Sequence, residues 1–298
     1  MDSEILSFKN IENKIVYNPT IPFKHSGKKY IGVRTESVDS EFDSEIRFAY
    51  KDSDHWVIDT SLPSFQLQDP AITTIKNNML LSGVYVERKN EGCDWRTEFY
   101  LGSDISRLNK IASSPWGMKD IRLVELDKEI GVFTRPLGGV YGRGKIGFLK
   151  IKDINDLKYI SEKEWYNATI LNDIFDQEHW GGVNQAIKLK NNYIGVIGHD
   201  AYLTYDENGK PQKNYYAISF ILNPDTLKHS KMTIIATRDD FPESQAKRSP
   251  ELRNILIPAG IDGLEKLYCD FYGGLSDYCT GQKEIKNPFD LSKIILEF

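Results

Sequence analysis

The chain has 298 residues, 40% apolar and 27% charged, with a formal net charge of −5. That balance describes a globular protein and, with no basic block, argues against nucleic acid or an anionic membrane as partner. The opening Met1-Asp2-Ser3-Glu4 carries no apolar stretch and no run approaches 18 apolar residues, so neither a signal peptide nor a membrane span is expected. The three cysteines, Cys93, Cys269 and Cys279, are sparse, odd in number and match no metal spacing, which fits a reducing cytoplasm.

In chain order, short runs of Val, Ile, Tyr, Phe and Thr alternate with Asn, Asp, Gly and Lys turns, so the chain reads as all-β. Asn77-Asn78, Asp127-Lys128 and Asn191-Asn192 each sit between two apolar runs and read as hairpin turns. Helix signals are few. Ser161 with Glu164 has the spacing of a capping box, and a short helix is expected there. Residues 243–253 hold a turn or two at most. No linker or low-complexity tract interrupts the sequence, so one domain over 1–298 is predicted.

A glycine recurs with a polar residue four positions later. The five copies are Gly32 to Glu36, Gly83 to Glu87, Gly131 to Arg135, Gly195 to His199 and Gly273 to Asp277, in steps of 51, 48, 64 and 78 residues. Residues 17–36 align without a gap to 68–87 with five identities, and Asn18 faces Asp69. A period near 50 residues suits a four-stranded blade, and five copies predict a five-bladed β-propeller. Each blade would open its inner strand at a polar residue (Asn18, Asp69, Asp120, Asn184, Asp262) and return through the glycine. Asn18, Asp69, Asp120 and Asn184 would then meet at one end of a central channel. Burial there would raise a carboxyl pKa, as a general acid requires.

Several stretches carry candidate chemistry, each with a plain structural alternative. Asp69-Pro70 either aims a carboxylate at the channel mouth or is a simple strand-start turn. Alternation would put Asp120 and Arg122 on one face, as site residues or as a surface ion pair. Arg135, Arg143 and Lys145, among several glycines, can hold a phosphate or form a solvated basic loop. Trp180 beside Asn184 and Gln185 suits a sugar, or is a buried Trp with its N–H satisfied. His199 is one of five histidines and has no metal motif around it. No P-loop, nucleophile elbow or dinucleotide fingerprint is present.

The stretches Gln68-Asp69-Pro70-Ala71, Lys119-Asp120-Ile121-Arg122, Thr134-Arg135-Pro136, Trp180 to Gln185 and Tyr272 to Asp277 together resemble the furanosidase-like five-bladed propellers. Within them the chain is most similar to the mannosyltransferase–phosphorylases of glycosyltransferase family 108, related to the family 130 mannoside phosphorylases. The resemblance implies inverting chemistry on β-1,2-linked manno-oligosaccharides, with phosphate, mannose 1-phosphate or a nucleotide-mannose as co-substrate. It maps the catalytic acid onto Asp69. Arg135, Arg143, Lys145 and His199 would bind phosphate. Asn18, Glu36, Asp120, Arg122, Trp180, Asn184, Gln185, Tyr272 and Asp277 would bind the sugar. No resident cofactor or metal is required, although some of the superfamily hold a channel cation. The expected partner is a small carbohydrate; the sequence leaves the oligomeric state open. A hydrolase of the same fold, with Glu36, Glu87 or Asp277 as second carboxylate, and a non-catalytic carbohydrate-binding propeller are the alternatives.

Overall fold

A computed structural model describes residues 3–246 and 249–289. The chain is all-β apart from one short α-helix and several 3-10 turns. Its strands fall into five successive antiparallel groups. The first holds Ile15–Tyr17, Phe23–His25, Lys28–Glu36, Glu45–Asp52 and His55–Ile58. The second holds Gln68–Ile75, Asn78–Arg88, Cys93–Gly102 and Asn109–Ser113. Arg122–Glu125, Ile130–Thr134, Gly147–Ile151 and Thr169–Ile170 form the third. Trp180–Lys188, Ile194–Tyr205, Pro211–Leu222 and Thr233–Ala236 form the fourth. The fifth is Asn254–Asp262, Tyr268–Leu275 and Cys279–Lys286, and the N-terminal strand Ser3–Ile5 pairs onto its outer edge.

Five apolar clusters pack the groups against one another. Phe48, Leu67 and Leu81 join the first and second groups; Leu80, Leu123 and Ile151 join the second and third. Phe148 with Ile194 joins the third and fourth, and Ile197 with Phe271 the fourth and fifth. The last cluster sets Tyr272 of the fifth group among Val16, Ile31, Val33 and Trp56 of the first. The order of contacts therefore returns to its start.

All five repeat glycines lie on the strand paired to the inner strand of their group, where a side chain would be crowded. A Cβ would meet Thr20 at Gly32, Ile46 and Leu67 at Gly83, Phe148 at Gly131, Phe289 at Gly195 and the Ile257 carbonyl at Gly273, at 2.8–3.1 Å. The repeat thus records tight contact around this strand, mostly with its own group. The helix Glu162–Tyr166 is capped by Ser161 and Glu164 as expected. Residues 250–252 form a single 3-10 turn.

Three local expectations change. The hairpin turn of the second group is Lys76-Asn77, with φ of 49° and 63°, and Asn78 already belongs to the next strand. Asp262 ends its strand instead of opening it. Asn184 is the fifth residue of Trp180–Lys188, not the first.

Tyr272 is 1% exposed in the seam between the last and first groups. Tyr272→Ala should therefore cost roughly 3–5 kcal/mol in urea unfolding, and Tyr272→Phe under about 1.5 kcal/mol. A loss below about 1 kcal/mol for the alanine variant would show that this seam does not hold the fold.

Candidate active site

The inner strand of each group is irregular at the same level. The pairing of Gln68–Ile75 skips between Gln68 and Ala71, that of Trp180–Lys188 between Val183 and Gln185, and that of Asn254–Asp262 between Pro258 and Gly260. In the first group the strand breaks after Tyr17, and in the third it starts only at Arg122. Asn18, Asp69 and Asp120 have φ of 44°, 49° and 59°. Asn and Asp adopt this left-handed region more readily than other non-glycine residues, which accounts for their presence. A bulge re-aims the side chain it carries. Asn18, Asp69, Asp120, Asn184 and Ala259 accordingly line one cavity of about 240 Å³.

The cavity wall is a charge network. Asp69 Oδ1 accepts from Asn18 Nδ2 at 2.7 Å and from Arg34 Nη1 at 3.1 Å. Arg34 also donates through Nε and Nη2 to Glu36 Oε2, at 2.8 and 2.7 Å, with Tyr17 beneath its guanidinium. Glu36 accepts from Tyr17 Oη at 2.6 Å and from Ser44 Oγ. Further round, Arg135 donates to Asp120 at 3.0 Å and to the Gly181 carbonyl at 2.7 Å. Arg122 donates only to backbone carbonyls, those of Asn184 and Ile121, at 2.9 and 3.0 Å. Lys119 lines the cavity with no hydrogen-bond or ion-pair partner among the described residues. In the fifth group the inner strand offers only apolar lining, Ile255, Ile257, Pro258 and Ala259, and the turn after Tyr268–Leu275 adds Asp277.

Burial alone would lift the Asp69 pKa, but Arg34, Lys119 and the Asn18 hydrogen bond more than offset it, and the carboxyl lies below its ordinary value. The raised pKa expected of a buried acid is thus reversed in the free cavity. Asp120 is likewise held down, against its burial, by Lys119, Arg135 and Arg122. Burial opposes the charge of Arg34, yet Asp69 and its other anionic neighbours raise its pKa. Burial and the Arg135 charge push His199 down to about 3, so its ring is neutral. His199 Nδ1 lies 2.8 Å from Asn184 Oδ1, an acceptor, which places the ring proton on Nδ1 and leaves Nε2 a lone pair. That nitrogen suits a hydroxyl donor better than an ionised phosphate oxygen.

Of the expected site residues, Asn18, Asp69, Asp120, Arg122, Arg135, Asn184, His199 and Asp277 line this cavity. Six others do not. Glu36 is fully buried behind Arg34. Gln185 bridges to the backbone of Ile261 through both amide atoms, tying two inner strands together. Tyr272 packs in the closing seam. Trp180 is buried, donates to Tyr215 Oη and lies beneath the Arg143 guanidinium, which is itself outside. Lys145 sits in the same loop, held through its backbone N–H to Pro136. Asp120 also pairs with Arg135, not with Arg122. Sequence reasoning passed over Arg34, Lys119, Tyr17, Glu41 and Tyr215, all cavity residues. Among the described residues no cluster of three or more His, Cys, Asp or Glu could hold a metal, and no helix is long and apolar enough to cross a membrane.

A family model described as "Protein of unknown function (DUF1861)" matches residues 1–291. The chain belongs to this family. Among curated proteins none matches it in sequence. Two solved structures of similar sequence come from Leishmania mexicana. MPT-4, a mannose phosphorylase in complex with phosphate ion, is 32% identical with a TM-score of 0.90, over 98% of this chain and 90% of that one. MPT-1, a GDP-Man-dependent mannosyltransferase, is 31% identical with a TM-score of 0.89, over 97% and 90%. A β-1,2-mannobiose phosphorylase from Listeria innocua, 15% identical with a TM-score of 0.64 over 93% and 92%, shares the fold alone. The resemblance read from the sequence agrees with these relatives.

Two site residues of this DUF1861 chain lend themselves to direct tests. His199 stays neutral in the folded state while the unfolded chain protonates it near pH 6.5. Stability therefore falls as pH drops below 6.5, by about 2 kcal/mol at pH 5 from this residue. His199→Gln should flatten unfolding stability between pH 7 and 5; an unchanged slope contradicts the neutral assignment. Separately, a Cβ on Gly274 would lie 1.8 Å from Asn18 Oδ1. Gly274→Ala should displace Asn18 from Asp69 and lower activity far more than the melting temperature. Full activity in that variant would show that Asn18 does not position Asp69.

Proposed function

We propose that this chain is a mannoside phosphorylase or mannosyltransferase working from the central cavity of a single five-bladed β-propeller. The carrying observation is the Asp69 carboxylate, set on its bulge between Asn18 and Arg34, in a chain 32% identical to a mannose phosphorylase. Five antiparallel strand groups, the fourth and fifth joined by a short parallel pairing of Asn214 and Tyr215 with Asn254 and Ile255, and five cores that close on themselves support the propeller. Three unpaired cysteines support a reducing compartment, the cytoplasm.

Two cations favour an anionic co-substrate. Arg34 and Arg135 are matched by carboxylates, whereas among the described residues Arg122 donates to carbonyls alone and Lys119 has no hydrogen-bond or ion-pair partner. Phosphate bound at Lys119 and Arg122, with Arg135 alongside, would be neutralised and oriented there. In phosphorolysis a phosphate oxygen bonds to the anomeric carbon and the glycosidic bond breaks. Its electron pair stays on the leaving oxygen, which takes a proton from the Asp69 carboxyl. In the reverse direction Asp69 accepts the proton of an acceptor hydroxyl as that oxygen displaces phosphate from mannose 1-phosphate. The free cavity holds Asp69 ionised, the form that the reverse direction needs. Bound phosphate opposes the charges of Lys119 and Arg34 and lifts the Asp69 pKa toward the acid form. The β-1,2 linkage and inversion rest on the family resemblance. No resident cofactor has a part in this reading.

Incubating the protein with β-1,2-mannobiose and phosphate should release mannose 1-phosphate. Asp69→Asn should lose roughly 10²–10⁴-fold in rate, the usual worth of a general acid. It should stay folded, because Arg34 keeps Glu36. Wild-type turnover in the Asn variant, or free mannose formed at equal rate without phosphate, would sink the proposal; the second result would point to hydrolysis.

A further inference from the structure

Two exposed aromatic side chains, Phe42 and Trp116, lie close in sequence to cavity residues. The second strand of each group runs toward the level of Asp69, so the loop after it lies at the mouth of the cavity. Phe42, 55% exposed, sits in the loop after Lys28–Glu36, next to the cavity residue Glu41. Arg88, ending Asn78–Arg88, lies over the Phe42 ring at 4.4 Å. Trp116, 38% exposed, sits three residues before Lys119. The Arg96 guanidinium covers the Trp116 ring at 4.4 Å and the Tyr85 ring at 5.6 Å. Tyr85 follows Val84, the partner of the cavity residue Gln68. Two arginine-backed aromatic surfaces therefore flank the mouth beside the second group, within about 11 Å of Lys119 by chain length in the case of Trp116.

We infer that Trp116, with Tyr85 and Arg96 behind it and Phe42 opposite, forms an outer subsite for an oligosaccharide chain leaving the cavity. The inference rests on the mannoside reading above. A neutral oligosaccharide offers apolar C–H faces that stack on aromatic rings and hydroxyls that accept from a guanidinium. Each aromatic is tied to a cavity residue, Phe42 to its neighbour Glu41, Tyr85 through Val84 to Gln68, and Trp116 to Lys119 three residues on, so a chain whose last sugar lies beside Asp69 would pass over them. Arg96 is anchored by Glu98 at 2.9 Å, which holds the stack in place without a ligand.

The test measures synthesis from mannose 1-phosphate with mannose and with β-1,2-linked mannotetraose as acceptors. Trp116→Ala should leave kcat/KM for mannose within about twofold and lower that for mannotetraose about tenfold, mainly through KM. Trp116→Phe should recover most of the loss. Equal losses for both acceptors would show that Trp116 only supports Lys119, and no loss for either would remove the subsite; both overturn the inference. If the wild-type protein turns over nothing, the mannoside reading fails first. Calorimetric titration with mannotetraose then decides the subsite, and binding that is absent, or unchanged in Trp116→Ala, overturns it. Sedimentation equilibrium of both proteins completes the test. A dimer lost in Trp116→Ala would assign this face to a second copy of the chain and likewise overturn the inference.

Discussion

The site depends on a backbone fault repeated five times. Each inner strand loses its regular pairing at one level, and the residue at the fault turns its side chain inward. The left-handed φ values at three of these points select Asn or Asp. Backbone geometry and site chemistry thus share one cause: residues that tolerate the fault also bring hydrogen-bonding and acidic groups to the cavity. The fifth group solves the same problem differently. Ala259 occupies its bulge and Gly260, with φ of 143°, supplies the conformational freedom, so the inner strand of that wall carries no charge and its carboxylate, Asp277, comes from the turn after Tyr268–Leu275. One face of a bound sugar would meet hydrocarbon and the others polar groups.

Arg34 then decides the state of the proton. Its guanidinium serves two carboxylates at once, Asp69 at the cavity wall and Glu36 behind it. Glu36 is saturated by Arg34, Tyr17 and Ser44, which fixes the arginine from the rear. A buried cation between two carboxylates is costly to dismantle one partner at a time, so the arrangement is stiff. Stiffness here means that Asp69 is kept ionised and oriented, and that an arriving anion has to shift its protonation. On the reading proposed above, such a site would run in either direction according to which co-substrate occupies it, and its relatives include a mannose phosphorylase and a mannosyltransferase.

Much of this was legible in the sequence, for identifiable reasons. The glycine repeat marked the strand groups because a Cβ at each of these positions would be crowded by its neighbours. Asp69 and Asp120 stood out because Asp before Pro, and Asp ahead of an alternating run, are local signals of a strand irregularity. The failures were also physical. Arg34 was overlooked because attention fell on the last residue of each repeat, whereas the cavity takes Arg34 in the first group and Asp277 in the fifth. Gln185 was misplaced because the bulge at Asn184 adds one residue and shifts the alternation after it. Trp180 looked free for a sugar because nothing local reveals that Arg143, from another group, covers it. The lowered pKa of Asp69 needed the long-range neighbours Arg34 and Lys119, whose proximity to it depends on the arrangement of the groups.

A second cavity of about 450 Å³ lies along the inner strands on the far side, lined by Ile72, Thr73, Val124 and Ile187 among others. Arg122 and Asn184 line both cavities, and the Arg122 Nε–H donates to the Asn184 carbonyl between them. Arg122 therefore ties the two cavity walls through its bonds to backbone carbonyls, with no carboxylate hydrogen-bonded to it among the described residues. On the reading proposed above, donor, acceptor and product would meet beside Asp69, and the length of the acceptor would depend on the loops that surround the cavity. Surface loops tolerate changes in length and side chains that strands do not, so acceptor preference would vary there while the bulges and their charge network stay fixed.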